Sequence, residues 1–231
     1  MYRQYIDVLK KTTLFTGIKE SEMEAMLYCM SPRISRYPRD SVIAIEHDPM
    51  EGIHILLKGS VTITKETEDG GRTLLAKYHA GNLFGEMAAF SESKRWPATV
   101  EASEDSEVMA LPIQNVVGVC SNSCGGHRLL IINMLTILSE KAMRLNRRVE
   151  YLSIRTLRGK ISRMLLDQYE HKKSPYIRLG MNRSEMADFL GVTRPSLSRE
   201  LGHMQDEGIL EYAGREFKLT DLEAMRMAIR S

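Results

Sequence analysis

The chain has 231 residues, 43% of them apolar, with 32 Lys/Arg against 30 Asp/Glu and a formal net charge of +2. That size and apolar content suit one large or two modest packed domains and exclude a disordered or fibrous chain. The longest apolar run, Leu129–Leu138, is broken by Asn133 and Thr136; the opening MYRQYIDVLKK has no apolar signal core; and three cysteines make no disulfide framework, so a cytoplasmic protein without a membrane partner is expected.

A helical lead-in is predicted over Glu20–Cys29. From about Arg33 to Pro112 come short runs of strand-forming residues: Ser41–Ile45, Ile53–Leu57, Val61–Lys65, Thr73–Tyr78 and Ser106–Leu111. Turn chemistry separates them at Asp48-Pro49, Gly59, Asp69-Gly70-Gly71 and Ala80-Gly81-Asn82. Many short strands with regular glycine turns predict a barrel or jelly roll; a β-sandwich without a pocket fits the same pattern.

Cys120-x-x-x-Cys124-x-x-His127 places three soft ligands within eight residues, which zinc or iron can use. The spacing differs from a Cys-x-x-Cys knuckle, and packed reduced thiols or a reversible thiol switch are the other readings. The remaining histidines show no ligand spacing. No nucleophile–base constellation or phosphate-cradling glycine loop is present, so no catalysis is predicted.

After His127 the residues Ile131, Leu135, Leu138, Ala142, Leu145, Val149 and Leu152 recur at spacings of 4, 3, 4, 3, 4 and 3. This heptad seam predicts a helix that pairs with a partner helix, flanked by Lys141, Arg144, Arg147, Arg148 and Glu150. A C2 homodimer is the expected outcome. Ser153 marks a hinge, and Arg155–Gln168 begins the last domain. Three segments follow: 1–125, 126–153 and 154–231.

Between Asn182 and Leu210 the chain reads NRSEMADFLGVTRPSLSRELGHMQDEGIL. Asn182 with Glu185 forms a capping box, so a helix is predicted from Arg183, with Met186, Ala187 and Leu190 inward and Gly191 as its left-handed stop. Thr193 caps a second helix, with Pro195 in its first turn. Leu197, Leu201 and Met204 face inward at helical spacing. Arg194, Ser198, Arg199, Gly202 and His203 then face out, and Gly208 ends the helix. An exposed arginine there can bind guanine O6 and N7, and Ser196 and Ser198 suit phosphates. Ile209–Tyr212 and Glu216–Leu219 read as a hairpin wing around Ala213-Gly214-Arg215, followed by a helix capped by Thr220 with Glu223. Residues 126–231 carry 19 Lys/Arg against 13 Asp/Glu, whereas residues 1–125 carry 13 against 17, so the basic charge lies with this helix pair.

The stretch from Arg183 to the wing resembles the DNA-binding domain of the Crp/Fnr transcription regulators. That family's recognition helix usually carries Arg or Val, then Glu, then Thr, and ends its reading face in Arg; here those positions hold Arg194, Pro195, Ser196 and Arg199. Arg199 matches the guanine-reading arginine. Pro195 replaces a base-contacting glutamate, which implies a different base pair at that step. GIHILLKGSVTITKETEDGGRTLLAKYHAGNLFGEMAAF resembles the family's cyclic-nucleotide-binding β-roll, with Gly59, Gly81 and Gly85-Glu86 at its turn glycines and ribose-binding glutamate. The resemblance runs from about Phe15 to Leu219.

This resemblance implies an α+β chain: a β-roll (jelly-roll) effector domain, a long dimerisation helix and a winged helix-turn-helix. It also implies control of DNA binding through an unidentified small-molecule effector, a homodimer on a pseudo-palindromic operator, and RNA polymerase as partner. DNA contacts are expected from Arg183, Thr193, Arg194, Ser196, Ser198, Arg199 and His203, and effector contacts from Phe84, Gly85, Glu86, Met87, Arg95, Trp96, Pro97, Ala98 and Thr99. Cyclic-AMP binders hold the phosphate with an Arg-Ser pair, whose positions here are Trp96 and Pro97. Neither supplies the charged donor a phosphate needs, and neighbouring Arg95 falls on the opposite face of an extended chain. Cyclic AMP is therefore not the expected effector. Trp96 either walls a different ligand or fills a vacant site. Two rivals remain: a redox- or metal-responsive regulator using Cys120, Cys124 and His127, and a nucleotide-binding module acting on a protein partner.

Overall fold

The computed structural model describes residues 2–67, 71–118 and 125–230. The expected turn residues Asp69 and Gly70, and the thiols of Cys120 and Cys124, lie outside them. The chain divides into two compact units, Met1–Glu140 and Lys141–Ser231.

The first unit contains helices α1 (Ile6–Leu9) and α2 (Glu20–Met30) and strands β1 (Arg33–Tyr37), β2 (Val42–Ala44), β3 (Gly52–Lys58), β4 (Ser60–Glu66), β5 (Arg72–His79) and β6 (Leu83–Phe84). It continues with α3 (Glu86–Ala89), β7 (Thr99–Ala102), β8 (Ser106–Pro112), α4 (Ile113–Val117) and the start of the long helix α5 (Gly125–Ser153). The strands form two four-stranded sheets, β1-β8-β3-β6 and β2-β7-β4-β5, with every pairing antiparallel. The β3–β4 turn needs its glycine. Gly59 sits at φ +87°, and a Cβ there would come within 2.4 Å of Ser106 Oγ and 2.6 Å of the Asp105 carbonyl. Ile53, Ile55, Leu56, Val61, Val100, Met109 and Leu111 are buried in one cluster with Met23, Met26, Leu27 and Met30 of α2. All five predicted strands form, each within a residue or two of its expected ends; β1, β6 and β7 are additional.

The first part of α5 belongs to this core. Leu130, Met134 and Ile137 recur at spacings of 4 and 3 and are buried in it. Asn133 Nδ2 donates to the carbonyls of Leu14 (3.0 Å) and Thr16 (2.8 Å), so the residue that breaks the apolar run ties the helix to the lead-in. The heptad seam lies on a neighbouring face. Ile131 and Leu138 are half-buried and Ala142 is exposed, while Leu135, Leu145, Val149 and Leu152 stand 59%, 50%, 61% and 41% exposed. One chain therefore leaves most of the seam in water. Among the described residues, no helix is long and apolar enough to cross a membrane.

The second unit holds α6 (Leu157–Lys172), β9 (Tyr176–Arg178), α7 (Arg183–Leu190), α8 (Arg194–Asp206), β10 (Leu210–Ala213), β11 (Glu216–Leu219) and α9 (Leu222–Arg230). Thr156 caps α6, its hydroxyl oxygen accepting from the Gly159 N–H. The hairpin β10–β11 forms as predicted, with Leu210 opposite Leu219 and Ala213 opposite Glu216. β9 adds a third strand that the sequence pattern did not reveal. The cap of α9 is corrected: Asp221, not Thr220, accepts from the N–H groups of Glu223 (3.0 Å) and Ala224 (2.9 Å). The Thr220 hydroxyl instead donates to the Gly208 carbonyl at 2.6 Å, closing the turn after α8.

The capping box of α7 is complete. Asn182 Oδ1 accepts from the N–H groups of Ser184 (2.9 Å) and Glu185 (3.0 Å), and Glu185 Oε2 accepts from the Asn182 N–H (2.6 Å). Asn182→Ala leaves those donors unsatisfied, at a cost of about 1 kcal/mol. Thermal denaturation of the full chain should show the C-terminal transition lowered by several degrees and the N-terminal one unmoved; an unchanged C-terminal transition would contradict this role.

Candidate functional site

The C-terminal face is built by packing first. Thr193 Oγ1 accepts from the Ser196 N–H (3.3 Å) and Pro195 occupies the first turn of α8. Leu197, Leu201 and Met204 are fully buried. Their burial turns Arg194, Ser198, Arg199 and His203 outward, and all four are exposed. A Cβ at Gly202 would meet nothing within 4 Å, so this part of α8 is open to close approach. The two hydroxyls at the helix start lie 2.9 Å apart and hydrogen-bond each other, Thr193 with Ser196.

Sequence reasoning missed a residue that braces this helix. Arg158 of α6 donates through Nε to Glu200 (2.6 Å) and through Nη1 and Nη2 to both carboxylate oxygens of Glu207 (2.6 and 2.7 Å). The pairing raises the Arg158 pKa and lowers that of Glu207. It also neutralises two of the carboxylates that α8 and its C-cap carry. With 42 and 49 residues between the partners, no local pattern announces the contact.

Arg183, expected at the DNA, is turned onto the wing. Its guanidinium lies 4.8 Å from the Tyr212 ring centre and 5.3 Å from that of Phe217, and Nη2 donates to the Gly214 carbonyl at 3.3 Å. Burial, and to a lesser degree Arg194, lower its pKa. Near the end of α5, the buried Tyr151 donates its hydroxyl to Asp167 Oδ2 (2.7 Å), and its pKa is raised first by burial and then by that carboxylate. The same ring meets Phe189 of α7 edge-on at 5.7 Å. Arg148 donates to the Asp188 carbonyl at 3.1 Å.

The residues expected to hold an effector come together around one turn in the first unit. Phe84 is fully buried, Gly85 sits at φ +81°, and Glu86 at the start of α3 is 2% exposed. Trp96 is 6% exposed, with its ring centre 4.9 Å from that of His54 and 6.2 Å from that of Phe84. A Cβ on Gly85 would lie 3.1 Å from both the Trp96 ring and the Met50 methyl. The backbone fixes this pose: the Trp96 N–H donates to Asp48 (3.0 Å) and its carbonyl accepts from His47 (2.8 Å). Arg95 is exposed and donates to the His47 carbonyl at 2.7 Å. Pro97 and Met87 are exposed, Ala98 is buried, and Thr99 Oγ1 accepts from the Glu46 N–H (3.2 Å). A separate cleft of about 400 Å³, lined by Arg36, Tyr37, Lys58, Asp105 and Glu107, includes none of the expected effector residues.

His127, one of the three candidate metal ligands, is buried, with Nε2 2.9 Å from the Val116 carbonyl; Cys120 and Cys124 lie outside the described residues. Among the described residues, no group of three His, Cys, Asp or Glu side chains is placed to hold a metal.

Comparison with known proteins places two families on the chain. Residues 34–123 match the cyclic nucleotide-binding domain and residues 159–228 the Crp-like helix-turn-helix domain. The chain is 20% identical over 229 residues to a CRP-like cAMP-activated global transcriptional regulator of Mycobacterium tuberculosis, covering 97% of this chain and 99% of the relative. It is 24% identical over 204 residues to the cyclic AMP receptor protein of Thermus thermophilus, covering 87% and 89%. The crystal structure of the Thermus thermophilus catabolite activator protein has the same fold, with a TM-score of 0.55, 20% identity, and coverage of 95% and 99%.

Two outcomes follow from the packing around Gly85. Gly85→Ala puts a methyl group against the indole in a left-handed backbone and should destabilise the first unit by about 1–3 kcal/mol, read by urea unfolding. Burial, and then the nearby Arg33 charge, lower the His54 pKa from 6.5 to about 4. Between those values the unfolded chain binds the extra proton. Stability should therefore fall as pH drops from about 6.5 to about 4, by roughly 3 kcal/mol in full, with no contribution from His54 above that window. The slope should be shallower in His54→Gln by this contribution; an unchanged slope in that variant would contradict the assignment.

Proposed function

We propose, for a chain that belongs to the Crp/Fnr family of transcription regulators and joins a cyclic nucleotide-binding domain to a Crp-like helix-turn-helix domain, that it binds a pseudo-palindromic operator as a homodimer and responds to an effector other than cyclic AMP. The observation that carries the DNA reading is the exposed face of α8. Arg194, Ser198, Arg199 and His203 project from a helix whose other side is locked by Leu197, Leu201 and Met204. Arg199 reads guanine, and Ser198 takes phosphate. Pro195 has no side-chain donor or acceptor, so the half-site differs from the family's usual one at the base pair it faces.

The exposed seam of Leu135, Leu145, Val149 and Leu152 supports pairing with a second copy. An apolar stripe of heptad period is stable in water only when covered. Paired α5 helices bring two recognition helices to half-sites about one helical turn apart. The bound dimer then acts on transcription with RNA polymerase as its partner. The replacement of the phosphate-holding pair by Trp96 and Pro97 supports an effector other than cyclic AMP. Such an effector works only by binding one arrangement of the protein better than another.

Arg199→Ala should lower operator affinity by roughly 5- to 150-fold, the equivalent of about 1–3 kcal/mol, and leave the dimer intact. Operator titration of each purified variant at fixed salt reads the first effect, and sedimentation velocity reads the second. Leu145→Glu with Val149→Glu should sediment as a folded monomer with weak operator binding. Undiminished affinity in the arginine variant contradicts the reading face; an intact dimer in the double variant contradicts the seam.

A further inference from the structure

We propose that Trp96 is a built-in stopper: its indole occupies the space beside Gly85 and Glu86 where a ligand would sit, and an effector of this domain acts by expelling it. The proposal rests on the reading of the β-roll as an effector domain, and it concerns how that site is regulated.

The geometry carries it. The indole is 6% exposed, touches the Gly85 turn, and packs among His54, Phe84 and Met50. Glu86, at the position that holds ribose in the resemblance, lies 2% exposed at the start of α3. The site's glycine is also matched to the stopper. At φ +81° Gly85 follows a path that favours glycine, and any Cβ there would meet the indole at 3.1 Å. Trp96 is further held by two backbone hydrogen bonds to the His47–Asp48 turn, with Pro97 directly after it.

A phosphate-bearing ligand faces two obstacles at once. It must displace an aromatic ring from an apolar cluster, and the guanidinium next to that ring in the chain is already engaged. Arg95, the adjacent guanidinium, is exposed and committed to the His47 carbonyl at 2.7 Å. The buried imidazole of His54 is held neutral and supplies no positive charge. The packed, ligand-free β-roll is thus the resting form. Expulsion of Trp96 would pull on the short segment leading into β7 (Thr99–Ala102), which runs between β2 and β4 in its sheet. That is a direct route from the site to the sheet.

Trp96 is the chain's single tryptophan, so its fluorescence reports the stopper alone. In the full-length wild-type protein, emission should be blue-shifted relative to free tryptophan and shielded from acrylamide. Neither property should change with added cyclic AMP or cyclic GMP. Water-exposed emission in the ligand-free protein overturns the proposal, and a saturable red shift with either nucleotide overturns the exclusion of phosphate-bearing ligands by identifying that nucleotide as what expels the indole. Trp96→Gly supplies the second arm, with free indole as the probe. Indole should bind this variant saturably and raise its melting temperature, while leaving the wild type unmoved. Equal binding to the wild type, or none to the folded variant, overturns the proposal, because then no indole-shaped site exists. If the variant does not fold, the wild-type fluorescence still decides. An operator gel shift on the same wild-type sample separates the two levels. Operator binding with water-exposed Trp96 emission contradicts the stopper and leaves the regulator reading standing; Trp96 buried with no operator binding by either the wild type or the indole-free Trp96→Gly variant contradicts the regulator reading and leaves the stopper standing.

Discussion

Leu197, Leu201 and Met204 fix which side of α8 faces solvent, because all three are fully buried against the C-terminal core. Rotating α8 by one residue would expose that stripe and bury Arg194 and Arg199, an exchange far costlier than any single surface contact returns. The surrounding bonds act on a helix already oriented this way. Thr193 and Pro195 start it, Arg158 holds Glu200 and Glu207 along its far half, and the Thr220–Gly208 bond closes the turn that follows. DNA recognition in this protein is therefore a by-product of core packing, sharpened by a salt-bridge network. Arg158 is no ordinary surface pair, since a bidentate guanidinium shared between two carboxylates is far more directional than a single exposed ion pair.

The N-terminal unit tells a different story with the same physics. Its fold is that of a nucleotide-binding domain, and its glycine turns and buried Glu86 are in place. Yet the position that would meet an anion holds an indole, packed against Phe84 and His54. An aromatic ring in that place favours burial where the family's arginine favours charge. Helix α5 carries two apolar faces. One, through Leu130, Met134 and Ile137, is covered by its own chain; the other, through Leu135, Leu145 and Val149, is not.

Much of this was legible because the signals are local. Asn182 with Glu185, Thr193 with Pro195, Gly191 and the seam spacing each specify backbone geometry within one or two turns, and the helices begin and end where those signals place them. Strands with strong alternation or turn glycines were found; β6, two residues long, and β9, three residues long, are too short to carry a period. Thr220 and Asp221 are both good caps one position apart, and only the path of the chain after β11 decides for Asp221. Arg183 reads as an exposed cation until the wing folds back beneath it, and Trp96 reads equally as ligand wall or filler until its neighbours are known. What the sequence concealed was tertiary: partners far apart in the chain, and which of two local solutions the packing prefers.

The most direct measurement is fluorescence anisotropy of labelled DNA from upstream of the protein's own coding sequence, at fixed salt, with and without cyclic AMP. The account predicts one binding curve, unchanged by the nucleotide at any concentration. Tight binding that appears only with cyclic AMP would contradict it, and would mean that a phosphate finds its charge partner in this site despite Trp96 and Pro97.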